Sequence, residues 1–361
     1  MIGYSFFKWL RLLFFNGFNI RLKHVPKVMA ITFINFLLYP FVLIERIKDR
    51  KRIKNTLILK DPIFIVGHWR TGTTHLHKML ALDQQFGFLT LTETAFPHLI
   101  LGQSKLLHRL MRPFTPDRRP TDNVEMFPEM PHEHEFALLV LTSFSPLLGI
   151  TFPNKFEYYK RYISFENVSK RKITEWKKQF LFLIKTLTIK SEGKQLVLKN
   201  PLDTCRIKLI LDLFPNSKFI HIYRNPYDVF YSTLKLHRYN AEIYALQRPT
   251  YDLYQAVLDN FVEMFDKFYK EIKLIPKGNY VEVRFEDLTQ YPMRELRRIY
   301  NSLSLDKFEK AESKIQEYLD SVADYQPSIY ELTSEDKKRI YARWNRTIKR
   351  WGYEKTPQKI P

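Results

Sequence analysis

Short apolar runs alternate with longer segments of helical periodicity after residue 56. The apolar runs predict buried strands at 62–66, 195–199, 218–224 and 280–284. The helical spacing predicts helices from Gly72 to about Leu82, over 170–190, over 202–213, from about Pro226, and over 251–273. The section between Gln84 and about Lys160 is rich in proline and predicts loops and short helices that lie over the sheet. Alternation of this kind is typical of an α/β fold with a central parallel sheet flanked by helices.

The first 55 residues have a different pattern. Residues 6–15 are aromatic and apolar, and residues 28–44 form a long apolar run interrupted by Asn35 and Pro40. That run is at the short limit for a membrane span. We expect a pair of helices that lies on a membrane surface or covers the substrate; a helical layer on the core and a true span are the alternatives. The predicted division is therefore an N-terminal apolar helical region, 1–55, and a main domain, 56–361.

Charge and cysteine content narrow the choice of partners and compartment. The 361 residues include 58 Lys and Arg against 38 Asp and Glu, a formal net charge of +20. Such a chain favours anionic partners, although a generally basic surface explains the same number. The single cysteine, Cys205, excludes an internal disulfide and favours a reducing, cytoplasmic location. Membrane association through residues 1–45 is compatible with that location.

A glycine-rich loop follows the first predicted strand. Its sequence is Gly67-His68-Trp69-Arg70-Thr71-Gly72-Thr73-Thr74. Loop amides and the start of a helix would together cradle a phosphate, as in P-loop proteins. The lysine of an ATP-binding P-loop is absent, because Thr73 stands in its place and Arg70 lies inside the loop. The motif predicts a P-loop-like, three-layer fold with an anion site that differs from that of a nucleoside triphosphatase.

A second pair of residues predicts another anion site. Arg224 ends the third predicted strand, and Ser232 lies on the helix that follows. The spacing turns the Ser232 hydroxyl back toward the strand end, where it and the Arg224 guanidinium could hold a separate phosphate. Lys199 also ends a strand, and ligands bind at the carboxyl ends of the strands in such sheets.

These motifs resemble the sulfotransferases that use 3′-phosphoadenylyl sulfate (PAPS). The similarity includes Lys199-Asn200-Pro201, Val283 to Leu288 and Trp351-Gly352-Tyr353, and covers roughly 60–353. It implies a PAPS-dependent sulfotransferase in which the 5′-phosphosulfate is bound by Arg70, Thr71, Gly72, Thr73 and Thr74. It further implies that Arg224 and Ser232 bind the 3′-phosphate and that Lys199 neutralises the departing phosphate.

The same resemblance implies a general base. Glu93 falls where related enzymes place a glutamate that accepts the proton of the acceptor hydroxyl, and His132 or His134 is the alternative. No metal is expected. The acceptor is predicted to be a small hydroxyl compound, with a sterol or other lipid alcohol favoured over a saccharide, since the N-terminal helices are aromatic.

Two other functions stay open from the sequence. A P-loop kinase is the first, although it lacks the expected lysine. A basic protein that binds polyanions or acidic membranes without catalysis is the second. Nucleic acid is not an expected partner of the enzyme.

Overall fold

A five-stranded parallel sheet forms the centre of the protein, in a computed structural model that describes residues 2–323 and 332–354. The strands are β1 (Ile63–Val66), β2 (Phe86–Gly87), β3 (Gln195–Lys199), β4 (Lys218–Tyr223) and β5 (Tyr280–Arg284). Their order across the sheet is β2-β3-β1-β4-β5, and each pair of neighbours is parallel. The predicted α/β fold with a central parallel sheet is confirmed. The edge strand β2 was not predicted, because two residues are too few to give a pattern.

Helices cover both faces of this sheet. In chain order they are α1 (Phe6–Phe15), α2 (Val25–Lys48), α3 (Arg50–Asn55), α4 (Thr73–Ala81), α5 (Leu91–Ala95), α6 (Ile100–Met111), α7 (His134–Thr142), α8 (Leu147–Thr151), α9 (Phe156–Lys160), α10 (Lys170–Lys190), α11 (Ile207–Leu211), α12 (Pro226–Tyr244), α13 (Leu253–Glu271), α14 (Phe285–Gln290), α15 (Pro292–Ser302), α16 (Glu309–Ser321) and α17 (Ser334–Arg350). Two large groups of buried apolar side chains hold the layers together, one on each face.

The helix predicted over 202–213 is the clearest difference from the sequence pattern. The structure has a 3₁₀ helix, Pro201–Cys205, followed by the short helix α11. Arg206 separates them with a backbone φ of −129°, and its buried guanidinium pairs with Glu135 at 2.7 Å. This tertiary ion pair overrides the local preference for one continuous helix.

The N-terminal helices pack on the main body of the protein. Trp9 and Leu12 of α1 and Ile31 of α2 belong to the same buried cluster as Phe64 of β1. The indole of Trp9 donates a hydrogen bond to Thr32 at 2.8 Å, and Asn35 accepts one from the amide of Gly3 at 2.9 Å. The predicted N-terminal apolar helical extension is therefore present and is attached along one face. The end of the predicted main domain, 355–361, lies outside the described residues.

The sheet order places three functional candidates at one edge. The central strand β1 lies between β3 and β4, so the residues that follow or end these strands meet at their carboxyl ends. Gly67 follows β1, Lys199 ends β3, and Arg224 follows β4. The structure thus brings the two predicted phosphate motifs and the predicted lysine to one crevice.

Candidate active site

The loop from Gly67 to Thr74 has a conformation that depends on its glycines. Gly67 has a φ of 146° and Gly72 a φ of 95°, which side chains rarely adopt. A Cβ on Gly67 would lie 2.3 Å from the carbonyl oxygen of Ile222, and one on Gly72 would lie 2.3 Å from the Phe285 ring. Arg70 also has a positive φ of 72°. Its side chain reaches Ser232 on the other side of the crevice.

The start of α4 provides donors for an anion. Helix α4 begins at Thr73, and Gly72 caps it without a side-chain hydrogen bond. The first backbone amides of a helix have no partner within it and lie at the positive end of its dipole. The Thr71 hydroxyl instead donates to the carbonyl of His68 at 2.8 Å, so it braces the loop. The loop amides and α4 therefore form a cradle for an anionic group.

Arg70, Ser232 and Arg224 converge beside this cradle. Nε of Arg70 donates to the Ser232 hydroxyl at 2.6 Å. Nη1 of Arg224 lies 3.5 Å from the backbone carbonyl oxygen of Arg70, and its guanidinium stacks 4.6 Å above the Phe285 ring. Two guanidinium groups and a buried hydroxyl thus lie together, which is the chemistry of a phosphate site.

The acidic partner of Arg70 is Asp122, which the sequence analysis did not select. Asp122 forms an ion pair with Arg70 and accepts two hydrogen bonds from Arg119, each of 2.6 Å. Burial alone would raise the pKa of Asp122, but Arg119 and Arg70 lower it below its usual value. Asp122 is therefore ionised and pairs with Nη1 of the Arg70 guanidinium.

Lys199 lies in the same crevice and is paired with Glu133. Its ammonium nitrogen is 2.6 Å from a carboxylate oxygen of Glu133 and 3.4 Å from the Thr74 hydroxyl. Burial lowers the pKa of Lys199, while the nearby Glu133 opposes that change. Burial would raise the pKa of Glu133, yet Lys199, His132 and Arg119 together outweigh it and the pKa is lowered. Each group thus keeps the other charged.

Glu93 lies in a different environment from the one expected of a general base. It forms a capping box with Thr90 at the start of α5. Its carboxylate also accepts a hydrogen bond from Ser104 at 2.8 Å and pairs with Lys190 at 2.8 Å. Both oxygens are engaged in contacts that hold α5, α6 and α10 together. The carboxylate beside Lys199 is that of Glu133.

Of the two histidines named as alternative bases, His134 is buried and His132 is half-buried. Burial lowers the pKa of His132 to about 3, so this side chain is neutral. Nε2 of His134 lies 3.0 Å from a carboxylate oxygen of Asp203, and both side chains are fully enclosed. Asn200 bridges Asp203 and Glu135 with hydrogen bonds of 3.0 Å each. This buried network fixes the residues that directly follow Glu133 and Lys199.

Further contacts hold Arg224 in place. The amide of Asn225 donates to Glu286 at 3.1 Å, and the Tyr353 hydroxyl donates to the same carboxylate at 2.7 Å. Tyr353 also accepts a hydrogen bond from Arg284 at 3.1 Å. These residues come from the two C-terminal motifs of the sequence analysis, and here they fix the end of β4.

No group of three His, Cys, Asp or Glu side chains that could hold a metal ion occurs within 2–323 and 332–354. The independence of the reaction from a metal stays a prediction.

Comparison with known proteins decides the family. A profile described as the sulfotransferase family matches residues 62–310. The chain belongs to the sulfotransferase family. It is 34% identical, over 363 aligned residues, to the omega-hydroxy-beta-dihydromenaquinone-9 sulfotransferase Stf3 of Mycobacterium bovis and of Mycobacterium tuberculosis, and the alignment covers 99% of this chain and 92% of each relative.

Solved structures agree with this sulfotransferase fold. Sulfotransferase STF1 from Mycobacterium tuberculosis superposes with a TM-score of 0.65 at 17% identity, covering 94% of this chain and 91% of that one. Sulfotransferase STF9 from Mycobacterium avium gives 0.64 at 18% identity, with coverages of 83% and 80%. Membership of the family confirms the predicted enzyme class, which sets aside the kinase alternative and the purely binding one.

Two carboxylates of this sulfotransferase site escaped the sequence analysis. Glu133 lies between His132 and His134, and the sequence analysis selected only these two histidines from that segment. Asp122 lies in the Pro-rich section, where no periodicity indicates which side chains point inward. Glu133 and Asp122 are recognised as site residues only because the structure pairs them with Lys199 and Arg70.

Proposed function

We propose that this sulfotransferase moves the sulfuryl group of PAPS to the hydroxyl of a long-chain lipid alcohol. The observation that carries the proposal is the meeting of two anion subsites with an ion pair between a buried lysine and a half-buried carboxylate. One subsite is the loop and the start of α4. The second is formed by Arg224 and Ser232, each of which contacts Arg70, and the pair is Lys199 with Glu133. PAPS carries a phosphate at the 3′ position of its ribose and a phosphosulfate at the 5′ position. Two neighbouring anion subsites would bind these two groups.

The residues assigned to the donor keep the roles expected from the family resemblance. Arg70, Thr73, Thr74 and the amides of Thr71 and Gly72 would bind the 5′-phosphosulfate. Arg224 and Ser232 would bind the 3′-phosphate. Asp122 must release Arg70 for this to happen, because a phosphate and a carboxylate compete for the same guanidinium.

The proposed reaction uses Lys199 as a switch. When the donor is bound, Lys199 turns from Glu133 toward the oxygen that bridges sulfur and the 5′-phosphate. The acceptor oxygen bonds to sulfur while the bond from sulfur to that bridging oxygen breaks, and Lys199 stabilises the charge left on the phosphate.

We propose Glu133 as the general base in place of Glu93. Once Lys199 has turned away, the effect of burial is offset less, so the pKa of Glu133 rises from its lowered value. A stronger base then accepts the proton of the acceptor hydroxyl as the bond to sulfur forms. The carboxylate is therefore weakly basic until the donor is present.

The acceptor is proposed from the relatives and from the surface of the site. The two mycobacterial relatives are named for a hydroxylated menaquinone, and similarity at 34% identity over nearly the whole chain supports a related lipid alcohol here. A cavity beside Trp69, lined by apolar side chains such as Leu147, Ile150 and Phe156, has a volume of only about 40 Å³. A long acceptor chain would therefore extend outside it. The fully buried Cys205 is compatible with the cytoplasmic location that we include in the proposal.

Transfer of label tests this function. The enzyme is incubated with [³⁵S]PAPS and a hydroxyl-terminated prenyl quinone in detergent micelles, and the matched control is the methyl ether of the same lipid. We expect label in the hydroxylated lipid and none in the ether, with a sterol as a second acceptor to compare. A protein that binds the product adenosine 3′,5′-bisphosphate (PAP) but labels no lipid alcohol would contradict the proposed acceptor.

A further inference from the structure

Helix α2 is apolar on two opposite faces. Val28, Ile31 and Val42 are buried against the protein. On the opposite face Met29, Phe33, Leu37, Phe41, Ile44 and Ile47 are between 51% and 77% exposed. A surface helix of a soluble protein normally carries polar side chains there. This exposed row spans about 27 Å at 1.5 Å per residue.

Neighbouring helices enlarge the exposed apolar area. On or next to α1, the rings of Phe7, Phe14 and Phe18 are more than half exposed. Leu107 of α6 and Val42 of α2 belong to one buried cluster, and Leu106 and Leu110 of α6 are exposed. We call these exposed side chains of α1, α2 and α6 the apolar platform. Contiguous apolar surface of this extent marks an interaction site.

The charges around the apolar platform have one sign. Every exposed charged side chain within 2–55 is basic, namely Arg11, Lys23, Lys27, Arg46, Lys48, Arg50, Lys51, Arg52 and Lys54. The two acidic residues of that range, Glu45 and Asp49, are both buried. An apolar surface with a purely cationic rim matches the interface of a bilayer that contains anionic phospholipids.

We infer that the apolar platform is a membrane-binding surface that inserts into the interface of an anionic phospholipid bilayer. Helix α2 lies in the plane of the interface. By length and composition, Leu22–Lys48 could cross a membrane, but its inner face is packed on the protein and carries the buried Asn35 and Glu45. A span would have to expose these polar groups to lipid.

This inference extends the proposed function by naming the source of the acceptor. Helix α6 of the platform leads directly into the segment that carries Asp122 and Glu133. A lipid alcohol would then present its hydroxyl to Glu133 while its chain remains among the lipids below the platform. Binding to vesicles does not itself depend on sulfuryl transfer, so the two proposals can fail separately.

Vesicle sedimentation tests the platform. The full chain is mixed with vesicles of phosphatidylglycerol and phosphatidylcholine in equal parts, or of phosphatidylcholine alone. We expect strong binding to the anionic vesicles and weak binding to the neutral ones. The variant Phe33→Gln/Leu37→Gln/Ile44→Gln should lose at least tenfold in partition coefficient. Leu274→Gln/Tyr291→Gln, which changes exposed apolar residues elsewhere, should bind like the wild type.

A charge variant separates the two contributions. Lys48→Gln/Lys51→Gln/Arg52→Gln removes three exposed cations at the end of the platform. Each cation near an anionic surface strengthens binding by about 1 kcal/mol, so the loss should be on the order of 100-fold, and high salt should release the wild type similarly.

Other outcomes would overturn the inference. Absence of binding to anionic vesicles contradicts it, and so does a wild-type dimer that the Phe33 triple variant converts to monomers, since a second copy then covers the platform. Protein that stays with vesicles in high salt and alkaline carbonate would instead be a span. On a short, water-soluble alcohol acceptor the Phe33 triple variant should keep wild-type turnover. If the Phe33 triple variant binds anionic vesicles less well than the wild type but neither protein transfers sulfate, the proposed reaction is contradicted and the membrane-binding platform is supported. Equal binding of the two proteins to anionic vesicles contradicts the platform.

Discussion

Lys199, which is buried, and Glu133, which is half-buried, form an ion pair in which Nζ and a carboxylate oxygen are 2.6 Å apart. Lys199 ends β3, and Glu133 immediately precedes α7, so the pair joins the sheet to the section above it. Each partner has a lowered pKa: that of Lys199 through burial, and that of Glu133 because Lys199, with His132 and Arg119, outweighs the effect of burial. A base held inactive by the same lysine that later stabilises the leaving group would couple proton removal to donor binding.

The base assignment predicts a large effect of Glu133→Gln. Loss of a general base typically lowers turnover by about 10²–10⁴-fold, and we expect kcat to fall in that range while PAP still binds. The control is Glu129→Gln, four residues earlier, whose side chain is 56% exposed. Unchanged kcat in the Glu133 variant would remove this residue from the mechanism.

Glu93→Gln should act on stability. The change removes the ion pair with Lys190 and weakens the capping box of α5, which we expect to lower the free energy of unfolding by about 1–2 kcal/mol. Thermal unfolding and kcat are measured on the same preparation. A normal melting temperature with kcat reduced by orders of magnitude would restore Glu93 as the base.

Asp122→Asn should tighten donor binding. The neutral amide competes less well than a carboxylate for Arg70, so PAP should bind about tenfold more tightly, or about 1.4 kcal/mol. Asp117→Asn, in the same segment but 93% exposed, is the control. Weaker binding in the Asp122 variant would mean that this carboxylate orients Arg70 for the phosphate.

Stability should fall in mild acid. Burial lowers the pKa of His68, His77, His98 and His132 to about 3. In the unfolded chain these groups titrate near about 6.5, so between about pH 3 and 6.5 the unfolded state binds more protons. The free energy of unfolding therefore drops as pH falls below about 6.5, by up to about 1.4 kcal/mol per pH unit for each histidine. His98→Phe should flatten the decline of melting temperature from pH 7 to 5; a wild type with no decline would contradict the prediction.

The sequence predicted the parts of the fold that depend on local pattern. The apolar runs matched β1, β3, β4 and β5, and the helical spacing matched α10 closely. It also indicated that Arg70, Lys199, Arg224 and Ser232 lie at strand ends or on a neighbouring helix, because parallel strands bring their carboxyl ends together. These inferences need only the period and the order of the elements.

Other features depend on contacts between distant residues. Arg206 interrupts a helix because Glu135, 71 positions earlier, pairs with it. Glu133 meets Lys199 across 66 positions, and the separation of Asp122 from Arg70 is 52. No local spacing encodes such pairs, particularly in the Pro-rich section. Glu93 is held by an ion pair with Lys190, which is also distant in the sequence. The environment of Glu93 could therefore not be predicted from local spacing either.

The central claim is that two anion subsites hold one nucleoside with phosphates at both its 3′ and 5′ positions. Calorimetric titration with PAP and with adenosine 5′-monophosphate tests it most directly, using the wild type, Arg224→Ala, and Lys235→Ala as an exposed control on α12. We expect the wild type and Lys235→Ala to prefer PAP by about 10–100-fold, the strength of charge-assisted hydrogen bonds to one phosphate. Arg224→Ala should lose that preference and keep its affinity for the monophosphate. Equal affinity of the wild type for both nucleotides, or an unchanged preference in Arg224→Ala, would contradict the account.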